Sequence, residues 1–320
     1  MKRAEPRPGL DRRRCLLGLV GLAISRPAQA APQARFASSL LARRQVTAAW
    51  LRARLPSLHE PKRDAGPLGW LAQNPEPGQT FEEFVELTRT SHAPERRAVY
   101  VVRIGDFPAG RAPLVTTTAG FISSFFGLRT QHLEAISLED IPNAARRRHP
   151  TDGHIQYHAG SINGLLRSRG VPPDAAAVIA LTNADLWPGG NWNFVFGLSS
   201  LTQRVGVWSL KRLGDPTREN IVSTRFLWRT LRTAVHECGH LLGLRHCVAY
   251  ECGMNGANGL IEFDAQPLEF CPECQAKIVL AAGVDPRQRY RALADFAARY
   301  QLRTEAEYWR RAQLALADPA

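Results

Sequence analysis

Apolar positions along the chain recur with two periods, and the alternation between them predicts the elements. Residues 99–104 (VYVVRI) and 176–182 (AAVIALT) are short, β-branched apolar runs, the mark of buried strands. Residues 133–138 form a second short strand candidate, ended by Ile141-Pro142. After the turn at Pro188-Gly189-Gly190, residues 193–201 and 205–210 alternate apolar with polar as strands do, and the period of two predicts sheet core for Trp192, Phe194 and Phe196. Helical spacing covers 120–128 and 161–169, the latter closed by Gly170 and Pro172-Pro173. It returns over 224–244 through Phe226, Leu227, Leu231, Val235 and Leu242, and from Pro286 onward the chain is charged and helical. Strands interleaved with helices ahead of one long helix predict an α/β sandwich around a mixed, mostly parallel sheet.

At 320 residues the chain can bury a sizeable core, and one main domain with extensions is expected. The expected boundaries are 1–30, a leader; 31–66, an Ala-, Arg- and Pro-rich linker or loosely packed arm; 67–284, the folded domain; and 285–320, a C-terminal helical extension. The leader follows an export pattern. Arg12-Arg13-Arg14 precede an apolar run from Cys15 to Ile24, and Ala28-Gln29-Ala30 offers a small-residue cleavage site. Paired arginines before the apolar run point to the twin-arginine route and a bacterial periplasm, with a cytoplasmic location if 1–30 is instead a basic tail. The run is too short for a stable membrane anchor. The leader carries +5 of the formal +12, leaving +7 for the rest. No basic stripe is interleaved with aromatics, so a nucleic-acid partner is not expected.

The densest chemistry lies at 236–246. On a helix, positions i and i+4 share a face, so His236 and His240 can offer ring nitrogens to one metal. Gly243 is where that helix can end, its missing Cβ permitting left-handed angles, and the chain can then return His246 as a third ligand. Three protein ligands leave a zinc ion one open position for water. Glu237 follows a ligand but points elsewhere on the helix, where a carboxylate can act as general base toward that water. An H-E-x-x-H string also arises on surface helices by chance; the added glycine and third histidine favour the metal reading. The whole H-E-x-x-H-x-x-G-x-x-H string is the metzincin signature.

Five cysteines follow Cys15, all between 238 and 274. Cys271-Pro272-Glu273-Cys274 is a C-x-x-C knuckle, and Cys247 and Cys252 have four residues between them. Four thiolates suit a closed, tetrahedral, structural zinc, giving two zinc ions per chain; a redox C-x-x-C is the competing reading. Clustered thiols in an exported protein are reconciled with an oxidising compartment if the metal is loaded before export. Cys238 faces neither cluster by spacing. Met254 lies eight residues past His246, where metzincins place a methionine turn beneath the metal. His154 and His158 are four apart, but Gly153 and Gly160 favour structural roles.

The run HECGHLLGLRHC, then C-G-M-N-G, then P-L-E-F-C-P-E-C, resembles the archaemetzincins, which interleave a metzincin zinc site with a four-cysteine zinc site. The similarity extends upstream through LGWLAQNPEPGQTFEE, Asp140-Ile141-Pro142, His158-Ala159-Gly160, Asp185-Leu186-Trp187-Pro188, NWNFVFG and Ser199–Gly206. The resemblance spans 67–280 and implies a zincin-like fold with an active-site helix and a small zinc-stabilised C-terminal subdomain. It implies a zinc peptidase with a peptide or protein substrate, and by fold analogy a sheet edge within 197–210 along which a peptide is held. The rival function is a non-catalytic, zinc-stabilised peptide- or protein-binding module. Cys238 inside the histidine motif and the export-like leader depart from the family pattern.

Overall fold

The computed structural model describes residues 32–64, 66–91, 95–214 and 223–317. The leader expected over 1–30 lies outside them. Chain order is α1 (Pro32–Arg54), α2 (Trp70–Gln73), α3 (Phe81–Ser91), β1 (Ala98–Ile104), α4 (Pro113–Phe126) and β2 (Arg129–His132). There follow β3 (Arg146–Arg148), β4 (Ile155–His158), α5 (Ala159–Ser168), β5 (Ala175–Thr182), β6 (Asp185–Trp187), β7 (Gly197–Ser200) and β8 (Val205–Ser209). Helices α6 (Thr224–Leu241), α7 (Leu260–Ala265), α8 (Pro272–Ala282), α9 (Pro286–Arg299) and α10 (Arg303–Ala317) complete the described chain.

The main sheet has five strands in the order β2-β1-β5-β8-β7, parallel throughout except for the antiparallel edge strand β7. Every residue of β5 is buried, as a central parallel strand covered on both faces requires. One face packs against α4 and α6 in a core that includes Phe121, Ile179, Trp208 and Leu231; the other packs against α5 through Val102, Ile162 and Val178. Ser223 caps α6 by accepting from the Phe226 amide at 3.1 Å, which fixes where the long helix starts. A three-stranded sheet, β3-β4-β6, flanks the main one.

Several expectations are corrected. The arm expected over 31–66 is mostly a helix: Ala48, Leu51 and Leu55 of α1 and the turn after it are buried, and Arg44 donates to the Leu280 and Ala281 carbonyls at 2.9 and 3.1 Å, at the end of α8. Its arginines conceal a helical apolar face, and burying that face defines the element. The strand expected at 133–138 lies earlier, at β2, and Ile136 keeps only a single bridge to Ile104. Of 193–201 only Gly197–Ser200 is strand. The C-terminal helices enter the same core as the sheet, with Tyr290 and Trp309 fully buried. There Glu269 binds Arg289 at 2.8 and 3.2 Å and accepts from the Trp309 indole, which ties α9 and α10 to the segment leading into Cys271.

The segment after β6 is pinned by a buried carboxylate. Asp185 accepts from Arg212 at 2.8 and 2.7 Å and from Gln156 at 2.7 Å, and pairs with His154 at 2.7 Å. Gln156 also donates to the Asn193 carbonyl at 2.8 Å, and Arg147 donates to the Trp192 carbonyl at 2.7 Å. Burial alone would raise the Asp185 carboxyl; its bonds to Arg212, His154 and Gln156 outweigh it and hold the carboxyl below its ordinary value. A depressed folded pKa stabilises above the unfolded pKa of about 4, and that stabilisation is lost as pH falls through the folded value. Asp185→Asn should therefore cost about 3 kcal/mol in urea unfolding at pH 7. The difference from wild type should shrink once the pH drops below about 4.

Candidate active site and cysteine cluster

Helix α6 delivers His236, Glu237 and His240 to the floor of a cleft of about 780 Å³. The helix ends at Leu241, and Gly243 then takes φ +96°, a left-handed conformation that β-carbon sterics disfavour. That turn returns His246 toward the other two histidines. One ring nitrogen from each of the three histidines lies within 4.8 Å of the others, and the ring centroids stand 4.7 to 5.3 Å apart.

Hydrogen bonds settle which nitrogens face inward. His236 Nδ1 donates to the Gly253 carbonyl at 2.9 Å and His240 Nδ1 to the Leu244 carbonyl at 2.7 Å. His246 Nδ1 binds both Glu76 oxygens at 2.9 Å, and Glu76 also accepts from Trp70 Nε1 at 3.0 Å. With the three Nδ1 atoms committed, each ring turns its Nε2 inward. His236 Nε2 and His240 Nε2 then meet at 3.1 Å with no proton between them, a repulsive contact that a cation would relieve. Burial, followed by the positive charges of neighbouring histidines, pushes His236 well below its ordinary value; the same causes bring His240 down to about 4. The His236 and His240 rings therefore stay neutral and able to ligate at pH 7. The donor set fits zinc.

Glu237 is 5% exposed and lines the same cleft. Ser199, on edge strand β7, donates to Glu237 Oε2 at 2.7 Å. Burial pushes the carboxyl up to about 7, and the serine bond pulls against it. A cation among the histidines would lower it again. Gly197 lies so close that a β-carbon there would overlap the Glu237 carboxylate.

Cys247, Cys252, Cys271 and Cys274 are all buried, their sulfurs lie within 4.8 Å of one another, and no pair is bonded, with Cys247 and Cys271 at 3.7 Å. The amides of Met254 and Cys271 point at the Cys252 sulfur, at 3.4 and 3.2 Å. Asn255 staples the loop, accepting from the Cys252 amide at 2.8 Å and donating to the Cys247 and Tyr250 carbonyls at 2.7 and 3.0 Å. Cys271 occupies the N-cap position of α8, which places both knuckle cysteines at a helix N-terminus, where negative charge is favoured. Hydrogen bonding from Cys252, Cys271 and Cys274 pulls the Cys247 thiol down. Burial pushes Cys252 up, and bonding to Cys247 pushes Cys274 up. Such a proton-sharing quartet fits a tetrahedral dication, which would take all four as thiolates.

Met254 is fully buried beneath α6; a β-carbon on Gly239 would come within 2.5 Å of its sulfur. Cys238, in contrast, packs into the core, where burial pushes its thiol up, so it adds no thiol to the histidine group. His158 caps α5 by accepting from the Ser161 amide at 3.2 Å, and His154 pairs with Asp185; the two do not converge. His149, Asp152 and His154 form a third group of ligand type, but His149 Nδ1 already accepts from the Thr151 and Asp152 amides. Trp192 and Phe194 line the cleft instead of the sheet core, with Trp192 47% exposed, whereas Phe196 lines the cleft and also packs against the core as expected. Glu76 and Ser199 lie inside runs that carry the family resemblance, but the sequence does not assign them a role, because only the fold brings Glu76 to His246 and Ser199 to Glu237.

The family model described as peptidase family M54 matches residues 174–279, the stretch that carries the edge strand and both clusters. The chain is 32% identical to archaemetzincin-2 of Mus musculus over 268 residues, covering 74% of each chain. It is also 32% identical to archaemetzincin-2 of Homo sapiens over 258 residues, covering 71% of each. Among solved structures, archaemetzincin from Methanopyrus kandleri is 25% identical over 61% of this chain and 99% of that one, with a TM-score of 0.49. The chain belongs to the archaemetzincin family, and it is a zinc metallopeptidase.

Proposed function

We propose that His236, His240 and His246 hold the catalytic zinc, that Glu237 is the general base, and that Cys247, Cys252, Cys271 and Cys274 hold a second, structural zinc. The observation that carries this reading is the convergence of three inward Nε2 atoms beside a buried, hydrogen-bonded carboxylate. Bound among the histidines, zinc would supply Lewis acidity toward the scissile carbonyl and toward water.

The chain's own residues account for the rest. Ser199 binds one Glu237 oxygen and leaves the other to take a proton from the attacking water, and Glu237 then passes that proton to the departing amine. Gly197 gives the carboxylate room. Strand β7 is the edge of the main sheet, so its outer backbone groups are available to pair with an extended substrate across the cleft. Glu76 locks the His246 tautomer and orientation through paired bonds.

Glu237→Gln should keep the zinc content of the wild type and lose peptide hydrolysis by about 10³-fold or more, measured by metal analysis beside a quenched-fluorescence peptide assay. Loss of zinc together with activity would show that Glu237 serves the metal site and is not the base. Gly197→Ala should lower kcat by about 10²-fold through displacement of the same carboxylate, with thermal stability changed far less. Unchanged kcat would contradict the placement of Glu237 beside β7.

A further inference from the structure

One wall of the catalytic cleft carries a cation that the reaction above does not use. Arg232 lies one helical turn before His236 on α6, about 6 Å along the axis, and it lines the same cleft. It is 1% exposed. Its guanidinium lies 3.9 Å above the Phe263 ring, and that ring packs against Phe196 on the cleft wall. Nε donates to the Pro267 carbonyl at 3.2 Å and Nη2 to the Gln266 side-chain oxygen, whereas Nη1 donates to no described residue. Both acceptors are neutral. Gln266 is itself held by the Gly256 carbonyl at 2.8 Å, so the guanidinium is set in place before any ligand arrives.

A buried arginine is ordinarily matched by a carboxylate, and here the nearby ones are committed elsewhere. Asp264 is bound to Arg225 and Arg229, and Glu262 accepts from the Trp70 and Asn258 amides. Burial lowers the Arg232 guanidinium to about 9, still charged at neutral pH. A fixed positive charge with a spare donor, walled by aromatic rings one turn from the catalytic histidines, is a receptor for an anion.

On the basis of the catalytic assignment above, we infer that Arg232 selects a substrate carboxylate beside the scissile bond. Two substrate features carry that chemistry: the side chain of a flanking Glu or Asp, and the free C-terminal carboxylate of a flanking terminal residue. The competing role for the charge is purely internal, offsetting the thiolates of the cysteine cluster, since Cys252 is among the groups that act on Arg232.

The test uses matched peptides that differ only in Glu against Gln next to the cleaved bond, or in a free C-terminal acid against its amide. Wild type should favour one carboxylate member by about tenfold or more in kcat/KM, because its neutral isostere leaves the buried cation unpaired. Arg232→Met should bring the ratio to within about twofold while still cleaving the neutral peptides, and Arg232→Lys should keep part of the preference. The Glu/Gln pair reports a side-chain carboxylate, and the acid/amide pair reports a terminal one. Calorimetric Kd values for the same peptides on zinc-loaded Glu237→Gln protein read the contact without turnover. A carboxylate preference there, with no cleavage by wild type, would defeat the catalytic assignment and uphold the role of Arg232. Equal handling of both pairs by wild type in both measurements would overturn the inference even if Arg232→Met fails to fold. A preference that survives in folded Arg232→Met would overturn it as well.

Discussion

The geometry of the site depends on three consecutive residues, Cys252, Gly253 and Met254. Cys252 contributes a sulfur to the thiol cluster, the Gly253 carbonyl holds His236 in its tautomer, and the Met254 sulfur sits against Gly239 between the two helical histidines. The Met254 amide is directed at the Cys252 sulfur, and its carbonyl accepts from Cys247 at 2.9 Å. Cys247 in turn directly follows His246. The thiol cluster and the histidine cluster are thus joined at two points, by the His246–Cys247 peptide link and by the hydrogen bond from His236 to the carbonyl of Gly253, the residue after Cys252, so a shift of one is passed to the other. Close packing makes such a joint stiff: a β-carbon on Gly239 would fall 2.5 Å from the Met254 sulfur.

The surrounding fold holds that joint from both sides. The parallel sheet supports α6 and sets β7 along the cleft, and Ser199 couples the edge strand to Glu237. The C-terminal helices reach the cysteine segment through Glu269, whose backbone carbonyl accepts from the Gly253 amide at 2.8 Å. That arrangement links Arg289 and Trp309, distant in sequence, to the loop that orients His236. Burying a charged pair is costly, and here both partners keep further hydrogen bonds, Arg289 to the Phe125 carbonyl and Glu269 to the Trp309 indole.

What the sequence makes legible follows from how local each signal is. The helix through 224–241, the strand at 175–182, the three histidines and the four cysteines all carry their spacing within a short window. Turn chemistry such as Gly243 is likewise local. Glu76 is 170 residues from His246, and Ser199 is 38 residues from Glu237, so only the folded chain shows that they meet. The aromatic alternation at Trp192, Phe194 and Phe196 has a period of two and imitates a strand, but a segment pinned by Arg147 and Gln156 turns those rings toward the cleft. Arg-rich α1 misleads in the opposite direction: its charges hide a face that packs on α8.

The coupling of the two clusters is the central claim, and zinc stoichiometry tests it most directly. Native mass spectrometry of wild type should count two zinc ions per chain, and a Cys271→Ser/Cys274→Ser variant should fall below one, because loss of the thiol cluster frees the loop that orients His236 and His246. A variant that keeps one zinc at full occupancy with wild-type peptide hydrolysis would show that the histidine site stands alone, and would contradict the account.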